Sequence, residues 1–229
     1  MTLDPVEVWL IDTDQPASVI ADLAPLLDPR ESRRAASIGQ PRARDRYIAA
    51  HGASRCILGT RLGVSPTALQ WRQGSHGKPE LAGDWGGLQV NLSHSHELAM
   101  LAIAVRRPVG VDVQRLTPHL DAARLAARFF PEPEARAVAS AAGPERLERF
   151  TRLWVRKEAC VKALGERLMR LIHLPVAGDG HTLLVRDPAG RVPQPLRVRD
   201  VAVPPGFHSA VAVTGAEPYD VAVHRWSAA

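Results

Sequence analysis

The chain opens on Val6 to Ile11 (VEVWLI), where polarity roughly alternates and predicts a strand. A polar, arginine-rich stretch from Asp28 to Ile38 predicts a helix. A stronger helix is expected from Pro41 to about Leu62, because Tyr47, Ala50, Ile57 and Leu58 share one face at helical spacing. Residues 63–87 are punctuated by Gly74, Gly77, Pro79, Gly83, Gly86 and Gly87 and read as loop-rich. Leu88 to Leu92 and Leu98 to Val105 then predict two strands flanking Ser93-His94-Ser95-His96, and Val109 to Val113 a third after a turn at Arg107-Pro108. Helices follow at about 120–130, 132–142 and 145–164, and strands at 181–186, 196–203, 208–213 and 220–226. Strands come in groups and do not alternate strictly with helices, which favours an α+β fold over a doubly wound sheet. No internal sequence repeat shows, and a boundary is expected near Arg106–Pro108.

Composition narrows this. A chain of 229 residues with 45% hydrophobic and 23% charged content can fill a core, as one large domain or two small ones, which excludes a disordered or fibrous protein. The longest apolar run, Leu98 to Val105, is far too short to cross a bilayer, so no membrane partner is expected. The start at Met1-Thr2-Leu3-Asp4-Pro5 lacks a cationic segment followed by an apolar run, so no secretory leader is expected. Cys56 and Cys160 form no paired motif, as in a reducing cytoplasm. The net charge of +5 favours acidic partners or phosphorylated ligands. Nucleic acid is a poor match, since the arginines are scattered and aromatics are only 5%. Of 29 basic residues only three are lysines, Lys78, Lys157 and Lys162, which makes their positions informative.

Four short segments carry candidate chemistry. In Gly110-Val111-Asp112-Val113-Gln114, residues two apart share a strand face, so Asp112 and Gln114 point together while Val111 and Val113 go to the core. A carboxylate beside an amide oxygen suits a hard cation; taken alone, a strand end with polar residues facing solvent is the commoner cause. In Trp154-Val155-Arg156-Lys157-Glu158-Ala159-Cys160-Val161-Lys162, Trp154, Glu158 and Lys162 form one helical stripe, which an exposed Glu–Lys pair beside a core tryptophan would equally produce. Asn91-Leu92-Ser93-His94-Ser95 puts hydroxyls and an imidazole at a strand end, where they can hold phosphate oxygens or merely cap a turn. Gly77-Lys78-Pro79 can form a stiff loop edge against a planar ligand, or simply a turn. The histidines lack zinc-ligand spacing, and there is no nucleophile elbow or P-loop.

Taken together and in this order, the four segments resemble the 4'-phosphopantetheinyl transferases, in the larger pseudo-dimeric type that activates carrier proteins of peptide and polyketide synthases. Asp45-Arg46-Tyr47 with His51 and Arg55 is similar to that family's basic N-terminal helix, and Arg128-Phe129-Phe130 with Glu134 to its middle region. The resemblance covers about residues 28–168 and takes in all three lysines. It implies two similar α/β subdomains related by a pseudo-twofold axis, each with a small antiparallel sheet and a packed long helix: residues 1–107 binding coenzyme A, residues 108–229 carrying the metal and the catalytic helix.

The implied reaction moves the phosphopantetheine arm of coenzyme A onto a serine of an apo acyl or peptidyl carrier protein, releasing 3',5'-ADP. The resemblance makes Asp112, Gln114 and Glu158 ligands of Mg2+, or of Mn2+ in its place. Glu158 doubles as general base, and Lys162 holds the pyrophosphate with Lys157 adding charge nearby. Lys78 and Pro79 lie against adenine, Ser93 and His94 contact phosphates, and Arg46 takes the 3'-phosphate with Arg30 and Arg34 as helpers. Glu134 has a family counterpart but no assigned role, a structural ion pair being one. A cytoplasmic monomer is implied. Two positions depart from the family pattern: Gln114 stands where glutamate is usual, and Arg167 where a second glycine often follows the catalytic helix. The first departure leaves room for a second reading, a coenzyme A-binding protein with weak or lost transfer.

Overall fold

The computed structural model describes residues 5–83, 85 and 87–228; the start at Met1–Asp4 and Gly86 of the loop lie outside the described residues. The fold is mixed α+β, as expected. The first half runs β1 (Val6–Asp12), α1 (Ala17–Leu23), α2 (Pro29–Ala36), α3 (Pro41–Leu62), a hairpin of β2 (Trp71–Gln73) and β3 (Pro79–Leu81), then β4 (Leu88–Ser95) and β5 (Leu98–Val105). The second runs β6 (Val109–Arg115), α4 (Ala122–Phe129), α5 (Glu132–Ser140), α6 (Gly143–Leu164), α7 (Leu168–Leu171), β7 (Thr182–Val185), β8 (Leu196–Asp200) and β9 (Phe207–Thr214). A last strand, β10 (Val221–Trp226), returns to the first half and pairs parallel with β1, so that sheet is mixed, not purely antiparallel.

The sheet orders are β10-β1-β5-β4 and β6-β9-β8-β7. In both sheets the first strand pairs with the last of its half and that one with the strand before it, β1-β5-β4 and β6-β9-β8, with β7 added at the second sheet's edge. The pairing is repeated too: Trp9 stands opposite Leu101 in one sheet, Asp112 opposite Ala210 in the other. α3 and α6 have 22 residues each and end on left-handed glycines, Gly63 (φ 67) and Gly165 (φ 63), conformations that a Cβ disfavours.

Apolar alternation explains the layers. Val6, Val8, Leu10 and Met100 meet Val111, Val113, Val211 and Val213 in a shared core between the sheets. On the outer faces, α3 packs Ala53, Ile57 and Leu58 against Leu101 and Ile103, and α6 packs Val155, Ala159 and Cys160 against Ala210 and Ala212. Each long helix is also pegged by a buried cation. Arg55 of α3 donates to Glu31 of α2 (2.6 Å), to Asp28 (3.0 Å) and to the carbonyls of Pro66 and Leu69 beyond its own helix. Lys157 of α6 pairs with Glu134 of α5 (2.6 Å) and donates to the Leu174 carbonyl, again beyond its helix.

Candidate active site

β4 and β6 lie edge to edge where the sheets meet, yet no backbone ladder joins them. Side chains two residues apart on β4 accept the amides of β6 instead. Val111 N donates to Asn91 Oδ1 (2.8 Å), Val113 N to Ser93 Oγ (3.4 Å) and Arg115 N to Ser95 Oγ (3.1 Å). Ser93 to Ser95 thus extend the strand expected over Leu88–Leu92, and the turn falls at His96, whose φ is 55. The seam keeps the strand edges a side chain apart and lines the gap with polar groups.

The face of β6 opposite Val111 and Val113 turns to α6. The backbones are closest at Gly110, where a Cβ would stand 2.2 Å from Ala159 O and 2.3 Å from Ala163 N, so no side chain fits. Two residues on, Asp112 (1% exposed) meets the polar stripe of α6. Lys162 Nζ donates to Asp112 Oδ1 (2.6 Å), Ser93 Oγ (3.0 Å) and Val111 O (3.2 Å); Ser93 Oγ donates to Asp112 Oδ1 (2.8 Å), and Gln114 Nε2 to Asp112 Oδ2 (3.2 Å). Burial first, then the charge of Asp112, hold the Glu158 carboxyl above the ordinary range, with Lys162 opposing.

Among the described residues no three His, Cys, Asp or Glu side chains gather as a metal centre; here Asp112 and Glu158 stand with the amide of Gln114. Two carboxylates that destabilise each other's charge, with an amide alongside, nevertheless suit Mg2+, which takes one or two carboxylates and completes its shell with water and substrate phosphates.

A cavity of about 400 Å³ opens beside this cluster, lined among others by Arg30, Arg34, Tyr47, His51, Pro79 and His94. His94 stands between cavity and cluster: its basicity is lowered by burial, then by the charges of His51 and Lys162, with Asp112 opposing. Lys78 lines a neighbouring cleft of about 340 Å³. Its ammonium donates to Val109 O (3.0 Å) and Ala163 O (3.4 Å), and burial pulls its pKa down to about 8 against the raising influence of Glu80. A third, apolar groove of about 350 Å³ meets Glu158 and Gln114 and is walled by Leu120, Leu125, Phe129 and Trp154.

The structure therefore brings together Ser93, Asp112, Gln114, Glu158 and Lys162, and puts Pro79 and His94 on the adjacent cavity. Two expectations change. Lys157 is fully buried, and its ammonium is engaged by Glu134, Leu174 O and the Phe130 ring. Arg46 does not line the cavity; it makes a two-pronged pair with Asp14 (2.6 and 2.9 Å), which Arg42 shares. Arg30 and Arg34, taken only as helpers, are the arginines that do line it. His51 and Asn91 lay inside the recognised segments without a role; stacking of Tyr47 on His51 (4.0 Å), four residues apart on α3, was readable from spacing alone.

The sequence is also similar to known proteins of one kind. A family model described as the 4'-phosphopantetheinyl transferase superfamily matches residues 108–189. The 4'-phosphopantetheinyl transferase HetI of Nostoc sp. is 38% identical over 176 residues, covering 76% of this chain and 74% of that protein. The 4'-phosphopantetheinyl transferase AcpT of Escherichia coli is 32% identical over 56% of the chain and 62% of its own length. A 4'-phosphopantetheinyl transferase of Bacillus subtilis is 24% identical over 77% of the chain and 83% of its own length.

Proposed function

The chain belongs to the 4'-phosphopantetheinyl transferase superfamily, and from that premise we propose that it loads an apo acyl or peptidyl carrier protein, releasing 3',5'-ADP with the help of Mg2+. The observation that carries the reading is the convergence of Ser93, Asp112, Gln114, Glu158 and Lys162 on the seam between β4, β6 and α6. Residues 108–229 supply the metal-facing and proton-accepting groups, and residues 1–107 the walls for the nucleotide.

Glu158 is the general base. Its raised pKa suits it to accept the proton of the carrier serine as that oxygen forms a bond to the β-phosphorus and the bridging P–O bond to 3',5'-ADP breaks. Lys162 steadies charge on the pyrophosphate, and Ser93 holds both Lys162 and Asp112 in place. Asp112, Glu158 and the Gln114 carbonyl would hold Mg2+ together with substrate oxygens. When bound, the ion neutralises phosphate charge and aids departure of the nucleotide. Pro79 and the stem of Lys78 form the adenine edge, and the 3'-phosphate falls to Arg30, Arg34 and His94. Free thiols at Cys56 and Cys160 accord with a cytoplasmic setting.

A second reading, coenzyme A binding with weak transfer, is favoured by one contact: Gln114 turns its amide nitrogen, not its oxygen, to Asp112. One experiment separates them. Incubation with coenzyme A, Mg2+ and a panel of apo carriers, read by intact-mass spectrometry, should add one phosphopantetheine to at least one carrier, and chelator should abolish the gain. Coenzyme A binding without mass gain on any carrier, restored by Gln114→Glu, would establish the second reading.

A further inference from the structure

We propose that Lys78 is a positioning residue for Lys162: its ammonium, carried by the β2–β3 hairpin, clamps the last turn of α6 onto β6 and ties the placement of Lys162 to the filling of the neighbouring cavity. The inference rests on the transferase reading above. It gives the ammonium of Lys78 a task away from the ligand, whose adenine edge is left to Pro79 and the lysine stem.

Two of the chain's three lysines meet on one strand edge. Carbonyls two residues apart on a strand face the same side. On the open edge of β6, Val109 O accepts from Lys78 Nζ (3.0 Å) and Val111 O from Lys162 Nζ (3.2 Å). The ammoniums come from different halves, one from the hairpin and one from α6. Lys78 Nζ also donates to Ala163 O (3.4 Å), on the residue that follows Lys162. That carbonyl is one of the last four of α6, which no amide of their own helix can satisfy. The amides of Glu166 and Gly165 meet Val161 O and Lys162 O, and Lys78 meets Ala163 O. A cation there also complements the negative end of the helix dipole. One ammonium thus spans α6 and β6 beside Gly110, where their backbones touch. An outward shift of this turn would carry Lys162 Nζ off Asp112 Oδ1 (2.6 Å) and Ser93 Oγ (3.0 Å).

The hairpin is held on both sides. Trp71 and Leu81 root it in the core beneath α3, with Leu101 and Ile103. Its tip is strained: His76 has φ 51, a left-handed value that a non-glycine residue keeps only where its surroundings enforce it. The enforcing contact is with the same helix end. His76 Nδ1 lies 2.9 Å from Gly165 O and donates to it, since a carbonyl only accepts. His76 and Lys78 therefore grip two of the three residues that follow Lys162. Pro79, next along the hairpin, lines the main cavity, whereas Lys78 lines the neighbouring cleft. A nucleotide against Pro79 steadies the hairpin, and the hairpin steadies Lys162. By linkage, whatever loosens the clamp also loosens the coupling between nucleotide and helix.

The test uses the full-length protein with coenzyme A, Mg2+ and the apo carrier it modifies fastest, and with 3',5'-ADP alone. Lys78→Met keeps the apolar stem and removes the ammonium, while Lys78→Arg keeps the charge and the donors; thermal denaturation checks that each folds. Lys78→Met should lower kcat about tenfold and leave the calorimetric Kd for 3',5'-ADP within about twofold, with Lys78→Arg losing less of the rate. Hydrogen exchange reads the clamp without any transfer. The last turn of α6 should exchange faster in Lys78→Met than in the unsubstituted protein, and 3',5'-ADP should slow it in the latter only. A weakened Kd with kcat unchanged would make the ammonium a ligand contact and overturn the assignment. Equal losses in the two variants, or exchange in α6 that Lys78→Met leaves unaltered, would overturn it too. If the unsubstituted protein modifies no carrier, the transferase reading fails, and exchange of α6 without ligand still decides whether the clamp exists.

Discussion

The two halves share a scaffold and differ in what the scaffold presents. Counted back from the terminal glycines Gly63 and Gly165, Arg55 and Lys157 occupy the same place on their helices, and both peg the helix to the one before it. The next residue and the one a turn beyond are Glu158 and Lys162 in the second half, but Cys56 and Thr60 in the first. On the strands, Asp112 and Gln114 of β6 stand where β1 has Trp9 and Ile11. The buried cation thus occurs on both long helices, while the stripe of Glu158 and Lys162 occurs on α6 alone. β10 pairs with β1, whereas β6, the matching strand, faces the open seam with β4. The proposed chemistry lies where a strand edge is left without a ladder.

The hardest blow to this comparison is aimed at Glu158. Glu158→Gln should cut the rate of phosphopantetheine transfer roughly 10²–10⁴-fold while the melting temperature stays within a few degrees, as measured by carrier mass gain and thermal denaturation. An undiminished rate would remove Glu158 from the proton transfer. Next come the pegs. Lys157→Met and Arg55→Met each strand a buried carboxylate and should cost about 3–5 kcal/mol in urea denaturation. If only one of them destabilises the fold, the pegs are not equivalent and the shared-scaffold view fails.

The long helices, the strand groups and the α+β class were legible because periodicity and burial act locally. Asp112 and Gln114 were read onto one face of a strand, and they share it, because alternation on β6 is enforced by Val111 and Val113 in the core. Three things were hidden. The β2–β3 hairpin spans only three residues per strand among glycines, too short for a period to show. The similar strand order of the two sheets leaves no repeat in the sequence, because corresponding positions such as Trp9 and Asp112 differ in kind, one apolar and one charged. The partners of Lys157 and Arg46 were hidden because burial and partner choice are tertiary: Lys157, one residue off the Glu158 stripe, pairs with Glu134, and Arg46 on α3 finds Asp14 after β1.

A smaller change sharpens the contrast at the strand. Gln114→Glu supplies a third carboxylate beside Asp112 and Glu158, so the Mg2+ midpoint for transfer should fall about tenfold. The same addition raises mutual repulsion when the ion is absent, so the variant should gain more thermal stability from Mg2+ than the unsubstituted protein does. Equal midpoints in a Mg2+ titration would mean that the Gln114 side chain stays on Asp112 and never faces the ion.

The smallest effect belongs to the first-half counterpart of Glu158. Cys56 is half-buried, and burial pushes its thiol up, so at neutral pH it stays uncharged and offers no base. It packs with the satellite core that holds Leu23, Leu27 and Ile48. Cys56→Ser exchanges one small neutral group for another and should alter stability by about 1 kcal/mol or less, with transfer unchanged within about twofold. A rate loss approaching that of Glu158→Gln would show that this helix face also meets the substrate, and the division into one scaffold half and one reactive half would have to be redrawn. An unchanged rate in the same assay that registers Glu158→Gln would confine the chemistry to the second long helix.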